Sequence, residues 1–439
     1  MKKRLKILWV IAFCSIFFFV EEILEFFLIN DVRSYTRVMM HEMYTQEENI
    51  DILFVGSSHC YRSFDTAITD EVFGCNTFNA GTSSQGMDGS LQIIKEASRK
   101  NEIKQIYLEI YYVMALQPDY KERDLMTSTY IISDYMRPSL QKVSYLLQAS
   151  GKEHYINSFV PIRRNWQKIL EPKDMLNLAR LKLSDDYRDY TYTYLTAETE
   201  AYKGKGYVAT NLSINDDIII SSATIDQANC AKISPDWEKS LKEIIEYCEK
   251  EDIKLTLVST PMPDMRLMGS GDYDAYINYV NDLIEGTDVE YYDFNLCKVE
   301  YFSDSIEWFY DTHHLNYKGA EKFSRVFSEF FIGNISEEEL FYEMYEEKKD
   351  NMPDGIMGVI AINDVSNHCV IIEPITNVNL EYISYDVRRG ENLQDSTLVE
   401  NTDEGIRVYY EEGETGIMSI GLALKEGEKS YINVRYGAE

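Results

Sequence analysis

The 439 residues are enough for two or three domains at the usual ~100 to 200 residues each, and a single small scaffold is excluded. A formal charge of -31, from 43 basic against 74 acidic residues, excludes a nucleic-acid surface and makes an anionic membrane face an equally poor partner. The seven Cys, at 14, 60, 75, 230, 248, 297 and 369, form no C-x-x-C pair or zinc-like Cys/His cluster, so dispersed buried thiols are expected.

Lys2, Lys3, Arg4 and Lys6 precede the apolar run Ile7 to Val20, and Glu21, Glu22 and Glu25 follow it. Positive before and acidic after puts the N-terminus in the cytoplasm and the remainder outside. The run of 14 residues is shorter than the ~20 of a spanning helix, so a signal-peptide core competes, although no small-x-small cleavage site follows. Cys14 is not a lipidation site, because Phe13 stands where a small residue is needed. An uncleaved signal-anchor over 1–30 is the expectation, with a cytosolic amphipathic helix as its rival.

Residues 50–57, I-D-I-L-F-V-G-S, read as a buried strand ending in a glycine turn, with a short helix after Ser58. Thr77 to Ala80 and Ile103 to Tyr112 read as further strands, with a helix over Met87 to Arg99 between them. From about 115 to 233 the rhythm breaks into a Tyr- and charge-rich insertion with helical stretches and a loop-like K-G-K-G at 203–206. Its Y-R-D-Y-T-Y-T-Y at 187–194 fits either a glycan-contacting loop or a half-buried strand. The helix Trp237 to Glu251, strand 253–260, helix Asp274 to Ile284 and strand 289–294 then resume the alternation. A helix entered from D-T-H-H-L-N-Y-K-G-A at 311–320 closes it, giving a parallel three-layer α/β sheet over 31–335. An acidic helical linker at 336–354, ended by Pro353, leads to short strands separated by turns, a β-sandwich over 355–439.

A serine becomes a nucleophile when an imidazole takes its proton, a carboxylate fixes that imidazole's tautomer, and N–H groups hold the oxyanion. Ser58 follows a strand directly at a tight turn. His314 lies three residues after Asp311, so one loop supplies base and orienter, and Gly81 can bring a bare N–H close to an oxyanion. Cys60 competes as nucleophile but would need the same partners. His59 either lines the site or caps the helix, Arg62 braces the floor by an ion pair, and His313 is a loop or supporting histidine. A lone G-S-S turn is usually only a turn; the later D-x-x-H is what raises it to a candidate site.

In these residues the chain resembles the SGNH/GDSL hydrolases, and within them the DltD-like and alginate-O-acetylation-like branch that modifies cell-surface polymers. V-G-S-S-H at 55–59 is similar to the family's first block, with Ser57 in place of its Asp, and Gly56, Ser57, Ser58 and Arg62 nearly match the branch's G-S-S-E-x-x-R. Asp311, His314, Leu315, Asn316 and Gly319 match the last block in full, and Gly81 the second, with Asn79 beside it. The third block fails, since Y-L-E-I-Y-Y-V at 107–113 has no Asn.

The resemblance implies a flavodoxin-like three-layer sandwich, membrane-anchored and extracytoplasmic, with Ser58, Asp311 and His314 catalytic and the N–H groups of Ser58 and Gly81 as oxyanion donors. Ser57, His59, Arg62, Asn79 and His313 would support them, with no cofactor and no metal. It implies O-acyl transfer or ester cleavage on a surface polysaccharide or teichoic-acid-like polymer. The partners would be an acylated donor protein or lipid in the membrane and a glycan acceptor. A surface-polymer assembly protein that kept the fold and lost useful turnover is the alternative.

Overall fold

The structure, a computed structural model, describes residues 2–123, 126–191, 199–213, 227–303, 306–389, 392–393, 399–425 and 427–437. The chain divides into two compact units: residues 1–110, 114–210 and 234–257 form one, and 111–113, 211–233 and 258–439 the other.

The first unit opens with one helix, Lys2–Leu28. Among the described residues no helix is long and apolar enough to cross a membrane. The fold therefore lends no support to the spanning segment expected over 1–30, whose apolar run meets Glu21, Glu22 and Glu25 before reaching spanning length.

Strands β1 (Ile52–Val55), β2 (Thr77–Asn79) and β3 (Gln105–Glu109) follow, and every residue but Gln105 is buried, polar Thr77, Asn79 and Glu109 included, as parallel strands covered on both faces require. Leu53 pairs in parallel with Phe78 on one side and Ile106 on the other. The helices expected after Ser58 and from Met87 form as Ser58–Ser63 and Met87–Ser98.

The K-G-K-G stretch is a hairpin and not a loop, with β4 (Glu200–Gly204) antiparallel to β5 (Tyr207–Thr210). Lys205 and Gly206 turn the chain at φ 45° and 82°. A Cβ on Gly206 would lie 1.6 Å from the Asn79 carbonyl oxygen, so only glycine lets the turn reach β2, where the Asn79 N–H donates to the Lys205 carbonyl at 2.9 Å. Of the Tyr-rich stretch at 187–194, residues from 192 onward lie outside the described residues, while Tyr187 and Arg188 end a helical turn, Asp185–Arg188.

With β6 (Lys254–Ser259) and β7 (Glu290–Asp293) the parallel sheet has five strands in the order β2-β1-β3-β6-β7. In the second unit, 336–354 is two short helices, Glu337–Leu340 and Tyr345–Asn351, where a single linker helix was expected. The break has a cause: Phe341 bridges to Cys297, and the Tyr342 N–H donates to the Leu296 carbonyl. Buried Lys348 then bonds the Asn295 carbonyl at 2.8 Å and pairs with Asp264, which docks the segment.

Beyond it lie β8 (Ile356–Asp364), β9 (Cys369–Thr376), β10 (Ile383–Arg389), β11 (Asn392–Leu393), β12 (Val399–Asn401), β13 (Ile406–Tyr409), β14 (Gly416–Leu424) and β15 (Ser430–Tyr436). They make two antiparallel sheets, β11-β10-β14-β15 and β12-β13-β9-β8. Alternate residues from both, among them Val370, Ile372, Ile406, Met418 and Ile420, share one core. Met265, on the helix Asp264–Gly269, packs on Ile375 of this region.

Candidate active site

The Ser58 turn belongs to the first unit and the Asp311–His314 loop to the second. In the first unit, Gly56 and Ser57 leave the carboxyl end of β1, and Glu109 ends the neighbouring strand β3. A Cβ on Gly56 would sit 2.6 Å from Glu109 Cβ, so glycine is what admits the carboxyl under the turn. The Ser57 N–H donates to Glu109 Oε2 at 2.6 Å, while the buried Oε1 has no partner. Burial pushes the Glu109 carboxyl up to about 7, although bonds from the Ser57 N–H and hydroxyl oppose the shift. Ser57 caps the helix Ser58–Ser63, its Oγ accepting from the His59 N–H at 3.2 Å. Ser58 is thus the first helical residue, half-buried, directly behind a strand.

Asn79 ties this turn to β2. Its amide donates to the carbonyls of Cys60 and Phe64 at 2.9 and 3.1 Å, and its Oδ1 accepts from the Gly81 N–H at 3.1 Å. The donor expected to face an oxyanion is therefore held by Asn79, and the next N–H, of Thr82, donates to the Gly56 carbonyl. Gly81 owes its identity to packing: a Cβ there would come within 2.8 Å of the Tyr61 nitrogen.

Cys60 is fully buried against Asn79 Oδ1 at 3.3 Å, and burial, with the nearby Glu109 charge, pushes its thiol well above the ordinary value. A thiol so placed is a poor nucleophile. His59 is buried beside it. Arg62 pairs with Glu200 of the hairpin and lies over the Tyr61 ring, and Tyr35 donates to the other Glu200 oxygen at 3.3 Å.

The second unit holds the relay. His314 Nδ1 sits 2.8 Å from Asp311 Oδ2, and Asp311 Oδ1 accepts the main-chain N–H groups of His314 and His313 at 2.8 and 3.0 Å. Burial would raise the Asp311 carboxyl, but the His314 hydrogen bond and charge, with those of His313, outweigh it and hold the group well below the usual carboxylate range. An ionised Asp311 fixes the Nδ1–H tautomer and leaves Nε2 as the proton-accepting nitrogen.

The rest of the motif shapes this loop. Buried Leu315 bridges to Phe309, and Asn316 caps the helix Tyr317–Phe331 through the N–H groups of Lys318 and Gly319. Its amide also donates to the Glu307 and Phe309 carbonyls. A Cβ on Gly319 would lie 2.2 Å from the Trp308 carbonyl oxygen, so glycine is required there too. His313 bonds Thr312 Oγ1 at 3.1 Å and stacks on Tyr111, whose hydroxyl accepts from buried Arg266 at 3.0 Å.

Among the described residues the one group able to hold a metal is Asp311, His313 and His314, with ligand atoms within 4.8 Å of one another. Those atoms already serve the bonds just given, which suit a proton relay as well as a cation. Glu109, Glu200, Tyr111 and Arg266 were not read from the sequence. The only available signal for Glu109 was an acidic residue ending an otherwise apolar strand.

An uncharacterised protein family's model matches residues 182–336, a stretch that contains the hairpin β4–β5, β6, β7 and the Asp311–His314 loop. No curated protein matches the chain. A solved structure described as that of a platelet activating factor from Streptococcus pneumonia is 11% identical with a TM-score of 0.32, over 71% of this chain and 97% of that one. A likeness of that size carries no argument about this chain.

Proposed function

We propose that the chain is an SGNH-type serine acyltransferase or esterase of flavodoxin-like topology that acts on a cell-surface polysaccharide or teichoic-acid-like polymer. The observation that carries the reading is the Asp311–His314 pair at 2.8 Å, built by a loop whose Leu315, Asn316 and Gly319 each have a structural reason to be there. The strand order supports it, since numbering the sheet's own strands gives 2-1-3-4-5, the flavodoxin-like order. In such sheets ligands meet the carboxyl ends of the strands where the order reverses, here beside β1 and β3, from which Ser58 and Glu109 emerge.

In this mechanism Ser58 Oγ attacks an ester or thioester carbonyl and its proton passes to His314 Nε2. The tetrahedral oxyanion takes the Ser58 N–H and the Gly81 N–H, which turns from Asn79. Collapse expels the alcohol or thiol, which leaves with the His314 proton. A glycan hydroxyl then attacks the acyl-serine, giving its proton to His314 and restoring Ser58. The donor is an acylated protein or lipid in the membrane, and the enzyme is anchored there by its N-terminal segment with the site outside the cell. No cofactor, metal or nucleic acid enters.

The full chain treated with a fluorophosphonate should be labelled, and Ser58→Ala should not. Labelling that survives Ser58→Ala, or a wild-type chain that never labels, overturns the reading. The second reading, an assembly protein without useful turnover, is favoured by the Gly81 N–H held on Asn79 and by the absence of an Asn from 107–113.

A further inference from the structure

The first unit exposes a set of large apolar residues along the part of the insertion between 139 and 183. Leu140 is 88% exposed, Leu170 77% and Trp166 54%, with Ile169, Leu176 and Leu183 also open. They stand on the helix Leu140–Ala149, the turn Trp166–Leu170 and the helix Pro172–Lys182, which keeps Leu178 and Ala179 inside while showing Leu176 and Leu181. An amphipathic helix has one apolar face to bury; here the inner face is buried and apolar residues remain on the outer one.

Charge separates this segment from the rest of the chain. Residues 139–183 carry eight Lys and Arg against three Asp and Glu, a net +5 within a protein of net -31. Two of these cations, Lys182 and Arg164, pair with Asp31 and Asp134, and the remainder leave the segment without the overall acidity of the chain. Lys152, Arg163, Lys173 and Arg180 are exposed along it, together with Glu153, Glu171 and Asp174.

The segment is also fastened to the N-terminal helix. That helix packs on Pro172–Lys182 and on the turns Pro161–Arg164 and Trp166–Leu170. Buried Lys182 pairs with Asp31 at 2.8 Å and lies toward the Phe26 ring, holding the helix's exit against the insertion. Leu8, Trp9, Phe13, Ile16 and Phe19 of the helix are themselves exposed.

Apolar side chains interleaved with cations, continuous with an apolar helix, fit the interface of a bilayer rich in anionic phospholipid. We infer that residues 139–183 form an interfacial membrane seat, with the apolar side chains in the headgroup-to-acyl boundary and the exposed Arg163, Lys173 and Arg180 on lipid phosphates. The seat would hold the unit at a fixed height and tilt over the membrane, which a single helix cannot do. It requires no nucleophile at Ser58 and stands apart from the acyl-transfer reading.

The test uses the full chain carrying Trp9→Phe, in phosphatidylcholine–phosphatidylglycerol vesicles brominated on the acyl chain near the headgroup. Trp166 is then the exposed tryptophan of the described residues, since Trp237 is buried and Trp308 only partly accessible. Emission should shift to the blue and lose intensity relative to unbrominated vesicles. The loss should vanish when Trp166→Phe is added, and should shrink without phosphatidylglycerol or in about 1 M salt, where the Debye length is ~3 Å. A paired Leu140→Glu, Leu170→Glu chain, altered only at exposed positions, should lose the quenching while staying on the vesicles. Equal emission from brominated and unbrominated vesicles, or a loss that persists without Trp166, overturns the inference. So does burial of Trp166 that appears without lipid as the chain self-associates.

Discussion

The Ser57 main-chain N–H and the Glu109 carboxyl meet at 2.6 Å, beneath the turn that presents Ser58. They are 52 positions apart in the chain and become neighbours because β1 and β3 pair directly. A buried carboxyl with one unpartnered oxygen is costly when ionised, which is why its proton is held to about 7.

That shift makes stability depend on pH in a definite direction. Glu109 binds its proton more tightly folded, near 7, than unfolded, near 4.5. Its contribution is complete below about 4.5 and is lost as pH rises through 7, a change of roughly 3 kcal/mol. Glu109→Gln keeps an acceptor for the Ser57 N–H and removes the titration. Denaturation midpoints across pH 4.5 to 8 should therefore fall more steeply for the wild type than for the variant, and parallel curves would contradict the burial argument.

Asp311→Asn should leave the loop largely in place, since a carbonyl oxygen can still accept the His313 and His314 N–H groups. It would remove the charge that fixes the His314 tautomer. Fluorophosphonate labelling should slow on the order of 10³- to 10⁴-fold, with the circular dichroism spectrum unchanged. Because Asp311 is held well below the usual carboxylate range, the wild-type rate should show no separate Asp311 step on the acid side. The matching stability contribution is present above the unfolded carboxylate value and is lost only as pH falls through the depressed one.

Much of this site can be read locally. I-L-F-V-G-S-S shows its strand, turn and capped helix in its own pattern, although Gly56 answers to the distant Glu109. The stretch from Asp311 to Gly319 likewise carries its own loop, cap and relay within nine positions. Glu109 was not legible: an acid ending an apolar strand also fits a strand emerging into water, and only the β1–β3 pairing buries it. The K-G-K-G hairpin was hidden for a similar reason, since its glycine answers to the Asn79 carbonyl and its Glu200 to Arg62, both more than a hundred positions away. The split at Phe341 depends on Cys297 in the same way.

Cys60 offers a direct check on which side chain reacts. Its thiol is buried against Asn79 and held protonated, so Cys60→Ser should leave fluorophosphonate labelling of Ser58 intact. Iodoacetamide on the folded chain should not block that labelling, and mass spectrometry should find Cys60 unmodified until the chain is denatured. Loss of labelling on alkylating Cys60 in the folded protein would move the nucleophile from Ser58 to the thiol.

Gly319 tests whether the relay depends on the packing behind it. In Gly319→Ala the added methyl would meet the Trp308 carbonyl oxygen at 2.2 Å and Leu315 Cδ2 at 3.0 Å. The leucine tip can yield, but the carbonyl belongs to main chain that also accepts the Asn316 N–H at 2.9 Å. Relief must come from moving the start of the helix Tyr317–Phe331 away from Trp308, which loosens the Asn316 cap and the Tyr310–His314 main-chain bond in the same motion. The expected cost is about 1–3 kcal/mol, read as a lower melting temperature, together with slower Ser58 labelling. A helix variant that lowers stability equally from a position facing solvent, such as Lys322→Gly, should leave the labelling rate near that of the wild type. If both variants slow labelling alike, the loss reflects general destabilisation and not the geometry of Asp311 and His314.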